Sequence, residues 1–127
     1  MIFMEEVSRT RNDFYSLMGP FFGSREVAKE VGINIYDDSD KRWFMAFEED
    51  QIIGFASLKG RLVSDCYVLK NKRNQGVFRG ILTMLEISTK GHLSANCTNA
   101  SKKAFANAGF VEKRKSKNFT YMEIYRA

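Results

Sequence analysis

The apolar positions of this chain change period decisively at one place. Up to Leu69 they recur mostly as strands, and after Asn71-Lys72-Arg73-Asn74-Gln75-Gly76 the period moves from two to 3.6. Ile2 to Val7 reads as a short opening strand, with Ser8 as N-cap of a polar and aromatic helical stretch through Phe14, Tyr15, Leu17 and Met18. Gly19-Pro20 is expected to break it. Gly23-Ser24 then caps a second short helix, Arg25 to Val31, closed by Gly32. Three strands follow. Arg42 to Glu48 turns at Glu49-Asp50-Gln51 into Ile52 to Leu58, and Gly60 turns that strand into Leu62 to Leu69.

Beyond Gly76, Val77, Ile81, Met84, Leu85 and Ser88 share one helical face, while Arg79, Glu86 and Lys90 point elsewhere. Gly91 ends this helix and His92 to Cys97 forms a strand. Asn99 to Ala108 is a further helix, stopped by Gly109. Phe110 to Arg114 and Tyr121 to Tyr125 close the chain as strands around a polar turn at Ser116-Lys117-Asn118. The order β-α-α-β-β-β-α-β-α-β-β predicts an α/β (α+β) single domain over residues 1–127: a mixed sheet with helices on its faces.

Composition narrows the class. The chain has 127 residues, 44% hydrophobic and 13% aromatic, enough for one buried core without disulfide staples. Cys66 and Cys97 lack a metal-binding spacing, and a lone His92 excludes a zinc site built on several histidines. No apolar run is long enough to span a membrane, and the acidic N-terminus lacks signal-peptide order, so a cytoplasmic setting is expected. Charge divides unevenly. Residues 1–69 carry 8 basic and 12 acidic side chains, and residues 70–127 carry 12 and 3. The second half thus asks for an anionic partner, although a solvated basic face explains the same count.

The segment with the most chemistry is the strand–loop–helix from Tyr67 to Gly80. A helix that starts directly after a strand presents unpaired backbone N–H groups and a partial positive charge to an anion. Gly76 has no Cβ to keep a ligand away, and Lys70, Lys72, Arg73 and Arg79 surround the opening. Neither the Walker spacing nor a Gly-x-Gly-x-x-Gly dinucleotide fingerprint is present. A tight turn closed by Gly76 is the plainer alternative.

The run from Val68 to Leu82 resembles the cofactor motif of the GNAT N-acyltransferase superfamily, which commonly reads V-x-P-E-Y-R-G-x-G-x-G/A-R-x-L-L. Arg73 and Gly76 fall on its Arg and Gly, and Arg79 and Leu82 on its trailing residues. Downstream, Asn99 to Phe110 is similar to the second family signature, a helix with an aromatic four residues before Gly-Phe. The element order matches as well. The resemblance implies acetyl-CoA as co-substrate, its diphosphate cradled by the backbone of Asn74, Gln75, Gly76, Val77, Phe78 and Arg79 beside Arg73. Val68 and its neighbours would pair with the pantetheine arm, and Asn99 and the helix bearing Phe105 would flank it. No metal is implied.

Two positions depart from the family pattern. Phe78 stands where Gly or Ala is usual, and Phe105 where many members carry the Tyr that protonates the leaving thiolate. Aminolysis needs a base for the amine and donors for the oxyanion. The best base candidate is Asp65, which shares a strand face with Tyr67, although a solvent-facing strand Asp explains it equally well, and Tyr121 is the substitute acid. His92 and the two cysteines read as structural, as do Trp43, Phe44, Phe47 and Phe55. The expectation is an N-acetyltransferase acting by direct transfer on a primary amine of a small molecule or protein, as a monomer or homodimer. Asp37, Asp38 and Asp40 mildly favour a cationic acceptor, although a solvated loop explains them equally well. Two rivals are a catalytically weak acyl-CoA-binding module of the same fold, and a nucleic-acid-directed protein using Lys113 to Lys117 with Phe119 and Tyr121.

Overall fold

A computed structural model of the chain describes residues 2–8, 10–31, 37, 40–89 and 92–125, without the side chains of 30, 31, 99 and 100. Among them the chain runs β1 (Ile2–Val7), α1 (Phe14–Phe22), α2 (Arg25–Val31), β2 (Lys41–Glu48), β3 (Gln51–Lys59) and β4 (Leu62–Val68). A short 3-10 turn, Lys70–Lys72, leads to α3 (Val77–Thr89), β5 (Leu93–Cys97), α4 (Asn99–Asn107), β6 (Val111–Lys115) and β7 (Thr120–Ile124). The strands form one sheet in the order β1-β2-β3-β4-β5-β7-β6. Every pairing is antiparallel except β4 with β5, where α3 makes the crossover between parallel neighbours.

The element order agrees with the sequence reading; several boundaries do not. Helix α1 begins at Phe14 rather than after Ser8, whose hydroxyl instead accepts the Thr10 N–H at 3.2 Å. It also runs through Gly19-Pro20, which was expected to end it. Pro20 removes one backbone donor near the end of the helix, where little of the ladder remains to be lost. Aromatic packing holds the last turn in place. Phe21 lies 5.0 Å from the Phe55 ring and Phe22 5.7 Å from Trp43, centroid to centroid. Gly32 and Gly91, expected as helix stops, lie outside the described residues. The closing strands start and end one residue away from their expected limits.

The sheet carries a core on each face. Helices α3 and α4 cover one side, with Phe44, Ile53, Leu58, Val63, Ile81, Leu85, Phe105 and Met122 buried between. Helix α1 and part of α2 cover the other, with Phe14, Met18, Val27, Trp43, Met45, Phe47, Phe55 and Tyr67. The four aromatics Trp43, Phe44, Phe47 and Phe55 are thus core residues. Strand β3 is buried from Ile52 to Leu58 because both its faces are covered. Gly54 makes this possible on the α3 side. A Cβ there would stand 3.1 Å from Tyr67 O and from Val77 Cγ1, so only glycine lets α3 lie this close.

Candidate functional site

Strands β4 and β5 pair over two positions only, Leu62 with Ser94 and Val63 with Ala95. Beyond these β4 continues to Val68 and β5 to Cys97, and the two part. A bulge in β4 causes the parting. Phe55 faces Tyr67 and Ser57 faces Ser64, so Asp65 and Cys66 together oppose the single residue Ala56. Asp65 takes the left-handed conformation there, at φ 52°. Such a conformation costs an L-residue about 1–2 kcal/mol, least for Asp and Asn. After the bulge, Leu69 donates its N–H to Ile53 O at 2.9 Å, which turns the backbone of Cys66 and Val68 away from β3 and into the opening.

A cleft of about 1390 Å³ runs from this opening to the start of α3. At the α3 end the chain folds through two left-handed residues, Asn74 at φ 64° and Gly76 at φ 82°. The helix ladder begins with the Gly80 N–H bonding Gly76 O at 3.0 Å, so the N–H groups of Val77, Phe78 and Arg79 precede it. A Cβ on Gly76 would meet nothing within 4 Å, so glycine serves the turn rather than relieving a clash. Arg73 is held twice: its Nε donates to Val68 O at 2.9 Å and its guanidinium lies 5.5 Å from the Tyr67 ring centre. Arg79 reaches Asn107 O at 3.3 Å and so ties α3 to the end of α4. Lys72 pairs with Glu48, whose carboxyl is held below its usual range by that hydrogen bond.

Eight of the ten expected binding residues line this cleft: Val68, Arg73, Asn74, Gly76, Val77, Phe78, Arg79 and Phe105. Gln75 does not; its side chain turns back to donate to Asn71 O at 3.1 Å. Asn99 opens α4, and its side chain is outside the described residues. Beside Phe105, the α4 wall is formed by Thr98, Ser101, Ala104 and Asn107. Thr98 and Ser101 make a reciprocal capping box, a signal legible in the sequence as Thr-x-x-Ser. The two departures from the family motif turn out to be one feature. Phe78 and Phe105 meet edge to face at 5.1 Å, and Phe110 packs on Phe105 at 5.0 Å, so an aromatic bridge joins α3 to α4 at the cleft wall.

At the other end lies Asp65, whose side chain is fully buried. The sequence allowed a solvent-facing strand residue here; the structure encloses it. Its Oδ2 accepts from Lys41 Nζ at 2.8 Å and from Ser57 Oγ at 2.6 Å, while Oδ1 has no partner among the described residues. Ser57 Oγ lies 3.0 Å from Ser64 Oγ, and Ser64 stands on the cleft wall. All four groups share the face of Tyr67. The sequence reading missed Lys41, because a lysine at a strand start reads as solvated.

Tyr121 does not reach the cleft. It stands on β7 opposite Asn96, its hydroxyl 3.5 Å from Glu123 Oε2 and its ring 4.5 Å beneath the Arg114 guanidinium. The same Glu123 carboxylate binds His92 Nε2 at 2.9 Å, and the His92 ring stacks on Tyr125 at 4.4 Å, which gives His92 a structural place. Burial, then the Asp65 charge, pushes the Cys66 thiol well above its ordinary range, and burial pushes Cys97 up to about 12. Neither is a thiolate nucleophile at neutral pH. Asp37, expected to favour a cationic acceptor, is engaged elsewhere. It accepts from Trp43 Nε1 at 2.9 Å and Tyr15 Oη at 3.1 Å, Asp40 does not line the cleft, and Asp38 is outside the described residues.

No helix among the described residues is long and apolar enough to cross a membrane. A comparison with curated proteins finds no match. Among solved structures, a GNAT-family acetyltransferase from Staphylococcus aureus Mu50 is similar, with a TM-score of 0.75 at 15% identity over 98% of this chain and 99% of that one. Escherichia coli ElaA is similar at a TM-score of 0.73 and 12% identity, over 97% and 99% of the two chains. A GNAT acetyltransferase from Elizabethkingia anophelis with acetyl-CoA bound is similar at 0.68 and 13%, over 98% of each. These likenesses carry the fold. The family model for the acetyltransferase (GNAT) domain matches residues 20–124, most of the chain. With its motif loop, parted strands and family match in agreement, this chain belongs to the GNAT acetyltransferase family and is an acyltransferase.

Proposed function

We propose that the chain transfers an acetyl group from acetyl-CoA to a primary amine by direct attack, without a covalent enzyme intermediate. The observation that carries this reading is the single cleft joining the basic start of α3 to the opening between β4 and β5. Backbone N–H groups from Asn74 to Arg79 hold the diphosphate, with Lys72, Arg73 and Arg79 supplying positive charge around it. The thioester arm follows the opening past Cys66 and Val68. The Val68 C=O is already taken by Arg73, so the Val68 N–H and the Cys66 backbone are the pairing groups left to it.

The amine approaches from the α2 side of the sheet and loses its proton toward Asp65. Because that carboxylate is enclosed, the proton travels through hydroxyls: Ser64 takes it at the cleft wall, Ser57 passes it on, and Asp65 Oδ2 receives it. Lys41, 2.8 Å from Asp65 Oδ2, holds the carboxylate in place for this. The neutral thiol of Cys66 supports direct transfer over an acyl-cysteine route. Phe105 has no hydroxyl to give a proton, and solvent in the wide cleft reprotonates the leaving thiolate.

The test is calorimetry with acetyl-CoA followed by a thiol-release assay over an amine panel. Gly76→Trp places an indole beside the proposed diphosphate site, at a position where a Cβ itself meets nothing within 4 Å, and is expected to weaken acetyl-CoA binding at least about tenfold. Unchanged affinity would falsify the diphosphate placement. Ser64→Ala is expected to lower kcat on the order of a hundredfold while leaving acetyl-CoA affinity intact.

A further inference from the structure

The bulge in β4 does more than enclose Asp65. Ser64 and Tyr67 are three residues apart, and in a regular strand an odd separation puts side chains on opposite faces. Here Asp65 and Cys66 together oppose Ala56, so that Ser64 faces Ser57 and Tyr67 faces Phe55. Ser57 and Phe55 stand two positions apart on β3. Both β4 side chains therefore lie on the α1 side of the sheet, roughly 7 Å apart along the strand. Ser64 Oγ meets Ser57 Oγ there at 3.0 Å, and Tyr67 packs into the aromatic core beneath α1. Both residues line the cleft.

The Tyr67 ring is held from three directions. Phe55 lies 5.8 Å and Phe21 6.1 Å from it, centroid to centroid, and the Arg73 guanidinium lies 5.5 Å from its centre. A tyrosine only 9% exposed ordinarily spends its hydroxyl on a protein partner. That of Tyr67 has none among the described residues and is not among their enclosed oxygens, so it opens onto the cleft. Ser64 Oγ differs in one respect: Ser57 links it to Asp65 Oδ2. One face of β4 thus presents two hydroxyl oxygens to the cleft, one connected to a buried carboxylate and one not.

We propose that Tyr67 determines acceptor specificity: Ser64 Oγ and Tyr67 Oη accept the two N–H groups of a primary amine, and so select primary over secondary amines. The inference rests on the acyl-transfer reading above. A neutral primary amine has two N–H bonds and one lone pair, and only the lone pair attacks. Hydroxyl oxygens accept hydrogen bonds, so one N–H on each leaves the lone pair free for the thioester in the opening between β4 and β5. As the N–C bond forms, the N–H on Ser64 gives its proton to Ser57 and on to Asp65 Oδ2. The C–S bond breaks with its electron pair on sulfur, which solvent protonates. The N–H on Tyr67 stays on the amide product. A secondary amine has a single N–H, and its second alkyl group covers the Tyr67 hydroxyl without pairing it. A site built to bind a donor rejects the analogue that lacks it.

The test compares propylamine, benzylamine and 1,3-diaminopropane, each with its N-methyl counterpart, in the thiol-release assay with acetyl-CoA. It is run on the unmodified protein and on Tyr67→Phe, which keeps the ring and its packing and removes only a hydroxyl without a protein partner. The unmodified protein is expected to favour each primary amine at least about a hundredfold in kcat/KM. Tyr67→Phe should shrink that ratio roughly tenfold through a loss on the primary amine alone, with KM for acetyl-CoA unchanged. A merely structural role for Tyr67 would slow both members of a pair together. A ratio unmoved by the variant, or N-methyl amines used as well as primary ones, overturns this proposal alone. No thiol release with any amine overturns the acyl-transfer reading, and this proposal with it.

Discussion

The two ends of the cleft are built by different means. The α3 end is made of main chain: two left-handed residues, Asn74 and Gly76, and the first N–H groups of a helix, all within one short stretch. The bulge end is made of side chains from three strands: Lys41, Ser57 and Asp65 meet only because β2, β3 and β4 lie side by side. Main-chain N–H groups are the same whatever the residue, so in the proposed diphosphate role that end would tolerate departures such as Phe78. A buried ion pair tolerates none, since losing one partner strands a charge away from water.

The largest effect is expected at Asp65. Asp65→Asn leaves Lys41 buried with no carboxylate, and is expected to cost about 3–5 kcal/mol in urea unfolding as well as turnover. Adding Lys41→Met should recover much of the stability and none of the activity. If Asp65→Asn unfolds at the midpoint of the unmodified protein, the ion pair is not what shapes this end.

At the α3 end a change of similar size should do far less. Gly76→Ala meets no neighbour and is penalised only for its backbone at φ 82°, about 1 kcal/mol. A loss comparable with that of Asp65→Asn would mean the loop is as tightly interlocked as the bulge.

The smallest effect concerns β5, which parts from β4 at the opening. Cys97 is buried on β5, and its thiol ionises near 12 in the folded chain against an ordinary 9.0. Folding therefore keeps a proton that the unfolded chain releases. Its contribution is fully present below pH 9 and is lost as pH rises from there toward 12. Near pH 9 the loss is roughly 0.4 kcal/mol, growing with pH. Unfolding curves of Cys97→Ala should show a shallower alkaline decline than those of the unmodified protein; parallel declines would place the titration elsewhere.

The same division separates what residue order fixes from what packing fixes. The strand–loop–helix around Gly76, the Phe105–Gly109–Phe110 signature and the order of elements are local or periodic, so residue order alone determined them. Gly19-Pro20 misled because a helix-breaking pair was judged without Phe21 and Phe22, whose rings find Phe55 and Trp43 only across the fold. Asp37 misled in the same way, its charge counted before its hydrogen bonds to Tyr15 and Trp43 existed. Tertiary structure alone decided that β4 bulges at Asp65 and that Lys41 closes over it. Burial and charge proximity belong to pairs of residues far apart in the chain, and only packing brings such pairs together.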